Sequence, residues 1–126
     1  MSSDEYDKLT ERIIGCAIEV HRHLGPGLLE SAYRTCFAHE LSSNNLAVAA
    51  EVPLPIDYKG TSLECSYRID LLIENTVILE LKAAERVLPL HQAQLLSYMK
   101  IARIRTGLLI NFNVQKLTNG IKRMKL

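Results

Sequence analysis

The most constraining stretch of this chain is residues 67–82, Tyr-Arg-Ile-Asp-Leu-Leu-Ile-Glu-Asn-Thr-Val-Ile-Leu-Glu-Leu-Lys. Runs 69–73 and 77–81 are rich in β-branched residues and leucine, and Glu74-Asn75-Thr76 between them contains a turn-forming asparagine. The pattern specifies two strands joined by a tight turn. Three charges interrupt the apolar runs: Asp70, Glu80 and Lys82. Side chains alternate along a strand, so Glu80 and Lys82 project from one face. With the turn centred on Asn75, Asp70 stands directly opposite Glu80, and opposed residues share a face. Two carboxylates this close in a partly apolar sheet repel each other unless a cation or a lysine compensates. That arrangement points to a metal site. The competing reading is a charged edge strand whose Glu–Lys pair is simply solvated. The spacing Asp-x(9)-Glu-x-Lys does not by itself decide between them.

A chain of 126 residues suits one domain with one core, here 1–126 with a polar N-terminal extension over 1–8. With 48% hydrophobic and 23% charged residues, the chain can bury a core and remain soluble. No apolar run approaches membrane-spanning length, so no membrane association is expected. The acidic start, Met-Ser-Ser-Asp-Glu-Tyr-Asp-Lys, lacks the character of a signal or transit peptide. Cys16, Cys36 and Cys65 include no Cys-x-x-Cys pair, so three reduced, mostly buried thiols of a cytoplasmic protein are expected.

Charge is unevenly distributed. Residues 1–85 hold all 14 acids and only 7 bases, a net −7, whereas residues 86–126 hold 8 bases and no acid. Such a split can present one positive surface to a polyanion. Alternatively, folding scatters these charges over a solvated surface. The absence of acids over the last third of the chain favours the patch.

In chain order, residues 9–24 read as a helix, with Thr10 as N-cap and Gly25-Pro26-Gly27 as the stop. His21 and His23 point to different helix faces and are taken as structural or solvated. A second helix is expected over 28–43. Glu30 falls in its first turn, where a carboxylate complements the helix dipole. Residues 47–56, with Pro53 and Pro55, read as an edge strand. A turn at 57–60 and a strand or pair of strands over 61–73 follow. Pro89 starts a helix to about residue 102, on which His91, Gln94 and Tyr98 share a polar face while Leu95, Met99 and Ala102 face the core. The apolar run 106–112 reads as a buried strand, and the alternating tail from Gly120 as a last one.

Several of these segments occur together in one known family. Gly27-Leu28-Leu29-Glu30-Ser31-Ala32-Tyr33 fits Gly-x-x-Glu-x-x-Tyr. It is accompanied by Leu24-Gly25-Pro26-Gly27, Tyr67-Arg68-x-Asp70, Glu80-Leu81-Lys82, His91-x-Ala93-Gln94-Leu95-Leu96-x-Tyr98 and Gly107-Leu108-Leu109-Ile110-Asn111-Phe112. From about residue 9 onward the chain resembles the GxxExxY protein family, placed in the PD-(D/E)XK nuclease superfamily. The resemblance implies an α/β (α+β) fold: a restriction-endonuclease-like α-β-β-β-α-β core, its mixed sheet flanked by helices, with an extra N-terminal helix. It implies that Asp70 and Glu80 bind a divalent metal, usually magnesium, and that Lys82 positions or activates the attacking water. It also implies that Glu30 completes the site, with Gln94 as the recurring glutamine of the following helix.

The chemistry of these residues agrees. Oxygen ligands suit hard Mg²⁺ or Mn²⁺ rather than zinc. Such a cation supplies Lewis acidity and acidifies water, while Lys82 stabilises developing negative charge. Tyr98, Lys100, Arg103, Lys122, Arg123 and Lys125 are the residues expected to contact nucleic acid, holding its backbone without reading bases. The expected activity is metal-dependent hydrolysis of phosphodiester bonds, with DNA preferred over RNA as partner. The alternative is a non-catalytic nucleic-acid-binding or regulatory module that retains the fold. A small chain with a short basic surface is also compatible with a homodimer.

Overall fold

A computed structural model describes residues 3–126; Met1 and Ser2, at the start of the expected polar extension, lie outside the described residues. The elements are α1 (Ser3–Leu24), α2 (Glu30–Ser43), β1 (Val48–Pro53), β2 (Ile56–Tyr58), β3 (Thr61–Leu63), β4 (Arg68–Ile73), β5 (Val77–Lys82), α3 (Pro89–Ala102), β6 (Thr106–Asn111), a 3-10 turn (Leu117–Gly120) and β7 (Ile121–Lys125). The sheet order is β1-β4-β5-β6-β7, with β2 and β3 forming a separate hairpin. β5 and β6 run parallel and the other neighbours in the main sheet antiparallel. This is the expected mixed sheet, with α2-β1-β4-β5-α3-β6 as the α-β-β-β-α-β core and α1 as the extra N-terminal helix.

Hydrophobic periodicity explains the layers. Ile13, Ala17 and Val20 of α1 pack with Tyr33, Phe37 and Leu41 of α2 on one face of the sheet, against Leu71, Leu79, Leu81, Leu108 and Ile110. Leu95, Tyr98 and Met99 of α3 pack on the other face, against Ile78 and Leu109. α3 approaches closely because Gly107 lies beneath it. A Cβ on Gly107 would fall 2.7 Å from Met99 Sδ and 3.0 Å from Leu95 Cδ1. Among the described residues, no helix is long and apolar enough to cross a membrane.

Some local expectations are corrected. Thr10 is not an N-cap; it is buried inside α1, which begins at Ser3. Leu9 and Ile13, one turn apart, both enter the core, and Asp7 lies beside Arg123 and Lys125 on β7. Those contacts extend the helix through the polar stretch. α2 starts at Glu30 rather than Leu28, because Leu29 is extended at φ −71°, ψ 151°. The turn expected at 57–60 is confined to Lys59 and Gly60, since Asp57 and Tyr58 belong to β2. Only Cys16 is buried; Cys36 and Cys65 are exposed, and none of the three forms a disulfide. His21 is structural: its Nε2 lies 2.8 Å from the Val114 carbonyl oxygen.

Candidate active site

The β4–β5 ladder pairs Ile73 with Val77, Leu72 with Ile78 and Leu71 with Leu79. One further step in this register sets Asp70 opposite Glu80, as the turn at Asn75 requires. There the backbone ladder stops, and the carboxylates take the freed donors. The Asp70 N–H donates to Glu80 Oε1 at 3.4 Å, and the Leu81 N–H donates to Asp70 Oδ2 at 2.8 Å. The break extends to the other neighbour. β1 pairs with β4 on both sides of Asp70 but not at Glu51, whose φ is +51°.

This interruption reverses the pleat. Residues two apart normally share a face, yet Leu71 packs with α1 and α2 while Ile69 packs with α3. Val48 and Val52 of β1 divide in the same way. The sheet therefore opens at Asp70, and groups from both layers act on it. Burial, the largest influence, drives its carboxyl above the ordinary value, against the Leu81 N–H, Arg34 of α2 and Lys82.

Glu80 is the more perturbed of the two. It is 5% exposed. Burial, then the neighbouring Asp70 charge, push its carboxyl from 4.5 to about 8, against the Asp70 N–H and Lys82; Glu30 adds a smaller upward push. Among the described residues neither Asp70 nor Glu80 forms a salt bridge. A buried carboxyl and a half-buried one thus lack a directly paired cation, an unfavourable arrangement for the protein alone.

Glu30 reaches this neighbourhood through its local motif. Gly27 has φ +101°, a conformation that glycine adopts without a Cβ penalty. The Tyr33 hydroxyl donates to the Gly25 carbonyl and accepts from the Leu28 N–H at 3.2 Å. Its ring stacks on Phe112 with centroids 4.5 Å apart. The motif tyrosine thus ties the loop to the sheet, and Glu30 opens the helix that follows. Arg34, one turn beyond Glu30, pairs with Glu51 at 3.4 Å. The sequence reading missed Arg34; its i,i+4 spacing from Glu30 was the available signal.

On the α3 side, the Gln94 amide donates to the Tyr98 hydroxyl at 2.8 Å. Tyr98 belongs to the core rather than to a polar helix face, at 5% exposure. Burial lifts its phenol above the ordinary value; Gln94 opposes this, and the charges of Glu80 and Asp70 reinforce it. His91 instead caps α3, accepting the Leu88 N–H at Nδ1.

The basic residues do not form one surface beside the hairpin. Lys100 and Arg103 are exposed at the C-terminal end of α3. Arg123 and Lys125 approach Asp7 of α1 at 3.7 and 3.8 Å. Lys122 alternates to the opposite face from Arg123 and pairs across β6 with Leu109, which itself pairs with Glu80. The acid-free segment thus reaches both faces because β7 is a strand, and part of its charge meets the acidic N-terminal helix.

Among the described residues no group of three or more His, Cys, Asp or Glu side chains is gathered closely enough to hold a metal ion. The donor set at the opening is the Asp70–Glu80 pair. Two carboxylates fit Mg²⁺, which commonly takes one or two from the protein and fills its other positions with water and substrate phosphate.

A family model for the PD-(D/E)XK nuclease superfamily matches residues 7–124. No curated protein and no solved structure matches the chain.

Proposed function

Because this chain belongs to the PD-(D/E)XK nuclease superfamily, we propose that it hydrolyses phosphodiester bonds of nucleic acid with the help of a divalent cation at Asp70 and Glu80. The observation that carries this reading is the Asp70–Glu80 carboxylate pair where the β4–β5 ladder opens, Glu80 buried and Asp70 half-buried, with no cation directly paired to either among the described residues. Within the superfamily we assign the chain to the GxxExxY type, on the loop geometry of Gly27 and the placement of Glu30 and Tyr33.

Asp70 and Glu80 would hold Mg²⁺ or Mn²⁺. When bound, that ion supplies Lewis acidity at a phosphoryl oxygen and lowers the pKa of water. Lys82 is half-buried at the end of β5, and its charge acts on both carboxyls. It would stabilise negative charge developing on the phosphoryl group. Gln94, held by Tyr98, would orient water or a phosphate oxygen. Glu30 would act at the rim, orienting a water beyond the two direct ligands. Lys100 and Arg103 would hold the nucleic-acid backbone, with Lys122 further along the same face of the sheet as Glu80; Arg123 and Lys125 would add long-range attraction.

The test is cleavage of DNA and RNA panels, single- and double-stranded, with Mg²⁺ and with Mn²⁺. Wild type should cleave at least one substrate and Asp70→Asn should not. Nucleic-acid binding without any cleavage would identify a binding module instead.

A further inference from the structure

A groove opens between α3 and the segment that carries the β2–β3 hairpin, on the α3 side of the sheet. Its volume is about 440 Å³, and Tyr67, Leu90, Gln94, Ser97, Tyr98 and Ile101 are among its walls. That volume lies within the range of small-ligand sites, ~300–1,000 Å³. No charged side chain lines it among the described residues. The groove is therefore a poor seat for a phosphate.

Its walls instead offer flat apolar surface with a few polar tips. Tyr67 is 40% exposed and meets Tyr98 edge-on, ring centroids 5.7 Å apart. Leu90 and Ile101 are large exposed apolar residues on α3. Gln94 and Ser97 supply hydrogen-bonding groups. Lys100, one turn beyond Ser97, is exposed and provides a positive charge near the groove. The groove lies on the face of the sheet to which Glu80 projects, because its wall residue Tyr98 packs with Ile78, two residues before Glu80 on β5.

We propose that this groove binds an unstacked nucleobase adjacent to the phosphate at Asp70 and Glu80, with Tyr67 as its stacking platform, so that the protein selects single-stranded over duplex nucleic acid. The inference deepens the nuclease reading and rests on it for the position of the phosphate. A base inside a duplex has both faces stacked and cannot enter. A free base offers a π-face to Tyr67, a contact indifferent to sequence.

The experiment measures binding without turnover, by fluorescence anisotropy in metal-free buffer, for one single-stranded DNA oligonucleotide and its duplex. The same strand is also prepared with single abasic positions. Wild type should bind the single strand more tightly, and one abasic position should weaken binding about tenfold, the scale of a lost base–aromatic stack. Tyr67→Leu should weaken single-strand binding similarly and make it insensitive to that abasic position. Leu90→Glu is a second variant with little folding risk, since a carboxylate in the first helical turn is favourable. It should also weaken single-strand binding. Equal affinity for single strand and duplex, or abasic sensitivity unchanged in both variants, would overturn the proposal. So would concentration-dependent dimerisation of wild type that Leu90→Glu abolishes, because the groove would then be a protein interface. Wild type that binds as expected but fails to cleave in Mg²⁺ or Mn²⁺ would support the base site while refuting the nuclease reading.

Discussion

Replacing Glu80 with Gln removes an ionisable carboxyl from the opened ladder while retaining an oxygen to accept the Asp70 N–H. Burial first, and the Asp70 charge second, raise the Glu80 carboxyl from 4.5 to about 8. Between those values the folded protein holds a proton that the unfolded chain has released. Stability associated with Glu80 is therefore fully present below pH 4.5 and is lost as pH rises towards 8, at up to about 1.4 kcal/mol per unit. The rise from 4.5 to about 8 sets a ceiling of about 5 kcal/mol. Water entering the opened ladder relaxes part of that cost, so on the order of 3 kcal/mol is the expected size. In urea denaturation without divalent metal, Glu80→Gln should match wild type near pH 4.5 and exceed it by that amount at pH 8.5. The wild-type decline over the interval should flatten in the variant. Equal stability at pH 8.5, or a less stable variant, would refute the account of Glu80 as a charge held at a cost.

Other expectations follow from the same site. Mg²⁺ at about one hundred times its dissociation constant should stabilise wild type by ~2.7 kcal/mol at pH 8, with a much smaller effect on Asp70→Asn, as read by melting curves. Lys82→Ala should abolish cleavage while leaving the metal-induced melting shift in place, since a lysine is not among the oxygen ligands. Tyr33→Phe removes a hydroxyl that joins Gly25 and Leu28, and should cost about 1–3 kcal/mol in chemical denaturation. Nucleic-acid affinity should fall with added salt, and Lys100→Ala should reduce the slope of log K against log salt by about 0.9 for duplex DNA, one phosphate contact.

The central hairpin was legible in the sequence because strand alternation and a short turn leave few registers, so Asp70 and Glu80 fall opposite each other. The helices and strands followed from apolar periodicity and from Pro89 and Gly25, whereas the mixed order of the sheet was implied by the family resemblance. What escaped the sequence reading depends on contacts distant along the chain. Thr10 looks like a helix cap, yet Leu9 finds the core and β7 offers cations to Asp7. Tyr98 shares a helix face with Gln94, but burial against Ile78 and Leu109 decides its environment. The division of the basic tail comes from a two-residue strand period that splits Lys122 from Arg123. Arg34 draws on Asp70 and pairs with Glu51, where β1 breaks from β4, and both partners are distant from it along the chain.

Gly107 gives this architecture an adjustable spacer. α3 rests on β6 where the strand carries only a hydrogen, so the height of the helix above the sheet is set by the smallest side chain available. Methyl and then hydroxymethyl groups at residue 107 would act as shims of increasing thickness beneath Met99 and Leu95. Each would lift Gln94 and Tyr98 relative to Asp70 and Glu80 without changing the chemistry of any of the four. The cost of such overpacking is about 1–3 kcal/mol, so the graded series could be studied folded. It would measure how finely a helix and the sheet beneath it must be spaced for residues on separate layers to work together.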